Sequence, residues 1–277
     1  MVEDKFVQLE DLRLHYRDLG GEGKPVALFL HGLTGNAHCF DHVAAEFVGS
    51  HHPLALDFRG HGDSDWPSGG DYAFHRHVGD TLAFLEALEV TKVSLIGNSL
   101  GGVVAMVIAA TKSGLVERLV LNDIGPEINV AAPKAGETPP NHIEQEFRDI
   151  AEALECYRRS YPPVQTLPDA VAMQLVRNST RVAENGLLRW KTDPRVQAIA
   201  PSAGQSSSSP GLWPLFDAVK APILVVRGGE SEALLPGTVA KMCSRRPGIK
   251  AVEVPGVGHT PWLSEQPALT AVQEFLR

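Results

Sequence analysis

One pentapeptide has the residue types and spacing for nucleophilic catalysis: Gly97-Asn98-Ser99-Leu100-Gly101. It lies between a short apolar run, Val93 to Ile96, and a small-residue run from Leu100 to Lys112, which fits strand, sharp turn and helix. A serine on such a turn is held in a strained backbone conformation, its hydroxyl pushed out beyond the strand. A Cβ at position 97 or 101 would strike neighbouring backbone. The N–H of Leu100, at the positive end of the helix, points to where an oxyanion would form. A serine at its free pKa is a poor nucleophile, so it needs a base within reach and a group orienting that base. The chain holds 11 histidines. His38 and His42, four apart on an expected helix, lack a carboxylate to complete a ligand set, as do His51-His52 and His75/His77. No metal is expected, and acyl transfer by serine needs no cofactor.

The elements that must position these groups follow in order. Phe6 to Leu9 and Leu12 to Arg17 read as edge strands, ended by the glycine-rich stretch at Gly20 to Pro25. Val26 to Leu30 is a continuous apolar run suited to an interior strand, and it ends in His31-Gly32-Leu33-Thr34-Gly35. A helix is expected over Ala37 to Val48, a strand at Leu54 to Asp57 leading into Phe58-Arg-Gly-His-Gly-Asp-Ser64, and a helix over Tyr72 to Leu88. After the serine turn come a strand at Val116 to Leu121, then Asn122-Asp123-Ile124-Gly125-Pro126. Residues 126–214 break the pattern: polar, proline-bearing, helical at Ile143 to Tyr157 and Ala170 to Arg177, and without a strong strand. Alternation resumes with strands at Pro222 to Arg227 and Lys250 to Pro255 and helices near Thr238 to Cys243 and Ala268 to Leu276. Strands alternating with helices imply an α/β fold, a mostly parallel sheet with helices on both faces. Residues 1–125 and 215–277 would form its core, and 126–214 a helical lid over the strand ends, with Ser206 to Ser209 as a hinge.

Bulk properties narrow the function. At 277 residues, 43% hydrophobic and 21% charged, the chain has the make-up of an ordinary globule. A net charge of −8 argues against a nucleic-acid or anionic-membrane surface. The N-terminus lacks the basic and apolar regions of a signal peptide, and no apolar run is long enough to span a bilayer. Cys39, Cys156 and Cys243 have no C-x-x-C spacing and read as buried hydrophobes or free thiols, so a cytoplasmic setting is expected. The expected partner is a small-molecule substrate; monomer and homodimer both stay open.

The His31-Gly32 loop, the R-G-H-G-x-S loop, the serine elbow and a late Gly258-His259, all in order, resemble the α/β-hydrolase superfamily across the whole chain. The lid matches only in position and helical character. The resemblance implies eight strands, the first two antiparallel to the rest, and the chain order Ser, acid, His. His259, on a glycine-flanked loop right after the last strand, is then the base. Two positions compete for the acid. The commoner one follows the seventh strand, in Gly228-Gly-Glu-Ser-Glu232, where Glu232 stands in place of the usual aspartate and Glu230 is a further option. The other is Asp123, after the sixth strand, where some branches place it. The oxyanion donors implied are the backbone N–H groups of Leu33 and Leu100. His31 would brace the oxyanion loop and His61 would be structural; His31, Gly32, Asn98 and Trp190 are the residues expected around a substrate. Arg148, Arg158, Arg159, Arg177, Arg181 and Arg189 read as a solvated lid face rather than a carboxylate pocket.

These features point to hydrolysis of a small-molecule ester or amide through an acyl-enzyme. Serine at the nucleophile position counts against dehalogenases and epoxide hydrolases, which use aspartate. Hydrolysis of carbon–carbon bonds in vinylogous diketones shares Gly-Asn-Ser-x-Gly-Gly. That group's glycine-proline-rich oxyanion loop is absent, however, and Thr260 stands where its tryptophan follows the histidine. A non-catalytic ligand receptor is the remaining alternative, against which the intact elbow and His259 both count.

Overall fold

A computed structural model describes residues 2–129, 142–199 and 211–277. Eight strands form the main sheet: β1 (Glu3–Gln8), β2 (Arg13–Asp18), β3 (Val26–Leu30), β4 (His52–Leu56), β5 (Val93–Asn98), β6 (Val116–Asn122), β10 (Ile223–Gly228) and β11 (Lys250–Val254). Their order is β1-β2-β4-β3-β5-β6-β10-β11. β1 pairs antiparallel with β2, and β2 antiparallel with β4; the other pairs are parallel. The interior strands carry unbroken apolar runs because both faces are covered. One face packs beneath α2 (Phe74–Ala87), α3 (Leu100–Thr111), α6 (Trp213–Ala218) and α7 (Pro236–Arg245), through residues such as Phe84, Val104, Phe216 and Met242. The other packs beneath the segment from Ala37 to Phe47 and α8 (Gln266–Leu276), through Phe29, Phe40, Phe47 and Phe275.

Two expectations about elements are corrected. The helix expected over Ala37 to Val48 is three short pieces: a 3-10 turn at Ala37–Phe40, α1 (Asp41–Ala44) and a second 3-10 turn at Ala45–Phe47. The side chain of Asn36 accepts from His38 N, and i to i+3 bonds tighten both ends, so the segment bends over the sheet rather than running straight. The helix expected over Ile143 to Tyr157 begins only at Ile150, where Asp149 accepts from Glu152 N at 2.9 Å as its cap. Glu146–Phe147 is instead a short strand, β7, in a three-stranded antiparallel sheet with β8 (Thr180–Val182) and β9 (Leu188–Trp190). Strands of two or three residues are too short to show an alternating pattern. Between them lie α4 (Ile150–Ser160) and α5 (Asp169–Ser179), which pack on each other through Ala153, Leu154, Ala172 and Val176. The serine tract at 206–209 lies outside the described residues. Among the described residues no helix is long and apolar enough to cross a membrane.

Buried beside the sheet, the rings of His31, His61 and His77 follow one another at 4.9 and 6.4 Å between centroids. Burial pushes His31 and His77 each down to about 3. An unfolded chain takes up these protons below about pH 6.5 and the native chain refuses them, so stability falls with pH from about 6.5 toward 3. The slope is about 1.4 kcal/mol per pH unit for each such histidine. His77→Leu is expected to flatten the acid limb by about one histidine's worth, read from urea unfolding at pH 7, 6 and 5. An unchanged slope would show that His77 is charged in the native protein.

Candidate active site

β5 runs into a turn at Ser99, whose φ is 46° and ψ −111°, and α3 starts at the next residue. A Cβ on Gly97 would lie 2.5 Å from the Gly101 carbonyl group and the Gly102 Cα, and one on Gly101 would collide with the Leu30 carbonyl. Only glycine fits either place. The turn is tied down on both sides: Ser99 N donates to Asn122 O at 3.2 Å, and Gly101 N donates to His31 O at 3.1 Å. These bonds fix the serine against the ends of β6 and β3.

His259 lies on the loop after β11, with Nε2 3.0 Å from Ser99 Oγ and Nδ1 2.6 Å from Asp123 Oδ2. An ionised carboxylate only accepts, so the proton sits on Nδ1 and the Nε2 lone pair faces the serine hydroxyl. Asp123 is fully buried at the end of β6, with φ 54°, and its N–H donates to Val226 O at 2.7 Å. Its Oδ1 accepts from Gly228 N at 2.9 Å and its Oδ2 from Ser231 Oγ at 2.5 Å. The structure therefore brings Asp123, not Glu232 or Glu230, to His259. Glu232 and Glu230 are exposed; Glu232 accepts from Asn129 Nδ2 at 2.8 Å through its backbone carbonyl, and Glu230 N donates to Val257 O at 2.9 Å. The segment after β10 thus supplies a hydroxyl and an amide to the carboxylate rather than the carboxylate itself. Nothing in the sequence marks Ser231, a serine between two glutamates, for that part.

His31 is fully buried, with Nδ1 2.7 Å from Gly32 O, and its Nε2 accepts from Phe58 N at 3.0 Å. Held neutral by burial, the ring braces the loop that carries Gly32 and Leu33 beside Ser99. His61 is also buried, its ring nitrogens 2.5 Å from Leu33 O and 2.8 Å from Arg59 O, so it supports the same loop from beneath.

Ser99 and His259 open into a cavity of about 310 Å³ whose walls include Leu33, Cys39, Tyr157, Tyr161 and Trp262. Asn98 and Gly32 also line it, and Asn98 Oδ1 accepts from Asn122 Nδ2 at 2.5 Å. Trp190 lies one layer out, in an adjoining cavity of about 90 Å³. Its ring packs on Phe147 and Tyr157 at 5.1 and 5.8 Å. Tyr157, Tyr161 and Trp262 are the wall residues that sequence reasoning missed, since aromatic residues in a helix or loop read first as core. Tyr161 Oη lies 2.7 Å from Thr260 Oγ1 and accepts from Thr260 N at 3.2 Å, joining the end of α4 to the histidine loop. Burial pushes the Tyr161 phenol up to about 12, so it stays neutral. Among the described residues lining the cavity there is no lysine or arginine. Arg148, Arg158 and Arg159 pair with Glu152, Asp169 and Glu155, while Arg181 and Arg189 lie over the Trp66 ring.

The fold and this array define a class: α/β proteins with a serine at the sharp turn after a central parallel strand, placed for hydrolysis. The profile of the Alpha/beta hydrolase family matches residues 27–273, and the chain belongs to that family. It is a hydrolase, and relatives across its length are named as such. It is 30% identical to a 3-hydroxybutyrate-oligomer hydrolase of Cupriavidus necator, over 95% of this chain and 92% of the relative. It is also 30% identical to a 2-(acetamidomethylene)succinate hydrolase of Mesorhizobium japonicum, over 98% of this chain and 94% of that one. A crystal structure of an alpha/beta hydrolase from Novosphingobium aromaticivorans superposes with a TM-score of 0.84 at 31% identity, covering 99% of this chain and 98% of the other.

The placement of the two acidic candidates has a kinetic consequence. Asp123→Asn is expected to lower kcat by about four orders of magnitude, because the amide favours the wrong imidazole tautomer. Glu232→Gln, at an exposed site, is expected to stay within roughly twofold of the parent. The reverse ranking, measured on any turned-over ester, would contradict the geometry.

Proposed function

We propose that this chain is a cofactor-independent serine hydrolase that cleaves a small-molecule carboxylic ester, or a related amide, through an acyl-enzyme. The observation that carries the reading is the series Ser99 Oγ, His259, Asp123, joined at 3.0 and 2.6 Å. In this mechanism His259 Nε2 takes the hydroxyl proton as Ser99 attacks the substrate carbonyl, and Asp123 stabilises the imidazolium that forms. The N–H groups of Leu33 and Leu100 hold the tetrahedral oxyanion, and each such donor is worth about 3 kcal/mol in the transition state. His259 then protonates the leaving group, and water repeats the sequence on the acyl-enzyme. The described part of the 126–214 segment acts as the cap, contributing Tyr157 and Tyr161 to the cavity wall.

An uncharged acyl group is favoured over an acidic one. The described walls set Tyr157, Tyr161, Trp262 and Leu33 beside the uncharged polar side chains of Thr34, Asn98 and Thr260, and they offer no guanidinium fork for a carboxylate. The name of the Cupriavidus relative, an oligomer hydrolase for a hydroxyacid, supports the ester reading. A fluorophosphonate probe is expected to label the protein at Ser99 only, and p-nitrophenyl acetate to be turned over, with both lost in Ser99→Ala. Labelling that survives the substitution, or saturable binding without turnover of any ester or amide, would overturn the proposal.

A further inference from the structure

At the β1–β2 edge of the main sheet, two imidazoles separated by 23 positions in the chain are brought together. The rings of His15, on β2, and His38, in the first 3-10 turn, stack at 6.0 Å between centroids with 23° between their planes. Each has one nitrogen engaged by its own carboxylate. His15 Nδ1 is 2.6 Å from Asp57 Oδ2, and His38 Nδ1 is 2.7 Å from Asp41 Oδ2. The Asn178 amide sits 3.0 Å from the same His38 nitrogen. Carboxylates on both Nδ1 atoms leave both Nε2 atoms turned outward. Both face one oxygen, Asp4 Oδ1, at 3.1 Å from His15 and 3.7 Å from His38; at the shorter contact a protonated His15 Nε2 donates to the carboxylate, and a metal ion would take that proton's place. The three ligand atoms all lie within 4.8 Å of one another.

The spacing and the charge both matter. Metal–ligand arms of 2.0–2.1 Å at the tetrahedral angle put ligand atoms roughly 3.3–3.4 Å apart, a value that the two distances to Asp4 bracket. Among the described residues, Asp4, Asp41 and Asp57 have one fixed cation beside them, Arg17, which holds Asp4 Oδ1 at 2.7 Å and Asp41 Oδ1 at 3.0 Å. With both rings neutral the cluster is two positive charges short. Two protons or one divalent cation would make up the difference. An imidazole whose far N–H is held by a carboxylate is how proteins orient histidine toward a metal, and two imidazoles favour the zinc class over calcium or magnesium.

We propose that Asp4, His15 and His38 bind one divalent transition-metal ion of the zinc class, with Asp57 and Asp41 holding the two rings in place. The site is separate from the Ser99 cavity. It ties the β1–β2 hairpin to the turn that follows Asn36, and Asp57 reaches the same turn by accepting from Ala37 N at 2.6 Å. Its role is to hold the sheet edge in register, so bound metal raises stability by mass action. A second grouping, His15, Asp57 and Asp63, is not chosen, because it uses the His15 nitrogen already bonded to Asp57 and Asp63 pairs with Lys191 at 2.6 Å.

The test is a titration of the EDTA-stripped full chain with zinc chloride at pH 7.5, by calorimetry and by thermal unfolding. One equivalent is expected to bind and to raise Tm. Asp4→Asn and His38→Gln alter side chains that are not fully buried, so folding should survive. Each is expected to weaken binding at least about tenfold and to remove the rise in Tm, and Asp41→Asn to weaken it about 10- to 100-fold without deleting a ligand. His259→Gln should leave binding unchanged. No uptake at micromolar zinc, uptake indifferent to Asp4→Asn and His38→Gln, or uptake lost in His259→Gln would each overturn the proposal.

Discussion

Ser99 occupies a region of backbone space, φ 46° and ψ −111°, that an L-residue enters only when its surroundings leave no alternative. Here they leave none. β5 is clamped between β3 and β6, and α3 must start at once to cover the sheet. The space between strand and helix is so small that the Gly97 and Gly101 backbones touch. The two hydrogen bonds that the Ser99 and Gly101 amides donate to the ends of β6 and β3 hold the strained turn in place. Strain held this way keeps the hydroxyl at the sheet's rim, and the proposed chemistry begins there.

The remaining groups are arranged around that point by strand order. β6 is next to β5, so the residue just past its C-terminal end, Asp123, arrives beside the serine at the same height. β10 and β11 lie further out, and the loop after β11 has to reach back across β10 to bring His259 between the two. Asp123 also serves as a structural bolt. It accepts from Gly228 N and Ser231 Oγ, so the carboxylate that orients the imidazole also joins β6 to the turn after β10. Four hydrogen-bonding contacts at a fully buried carboxylate and its amide leave it little freedom to move.

The parallel sheet was legible because interior strands such as Val26 to Leu30 have to be apolar on both faces, and the elbow because its glycines are sterically required. Linear order leaves the carboxylate open between Asp123 and Glu232 for a physical reason. Both follow adjacent strands, and what separates them is burial, which linear order does not encode. Ser231, Tyr157, Tyr161 and Trp262 went unseen because their parts depend on what packs opposite them. The short strands β7, β8 and β9 hold too few residues for any period to show. Spacing pairs His38 with His42, whereas the fold turns it toward His15 and Asp4.

The proposed chemistry depends on where the elbow aims the serine oxygen, and the structure of the phosphonylated enzyme measures that directly. The non-bridging phosphoryl oxygen is expected at about 2.7–3.1 Å from both the Leu33 and Leu100 amide nitrogens, the range of oxyanion donors. His259 is expected to stay hydrogen-bonded to Asp123. An oxygen turned to solvent, or a histidine that leaves Asp123 for Glu232 or Glu230, would contradict the proposed chemistry.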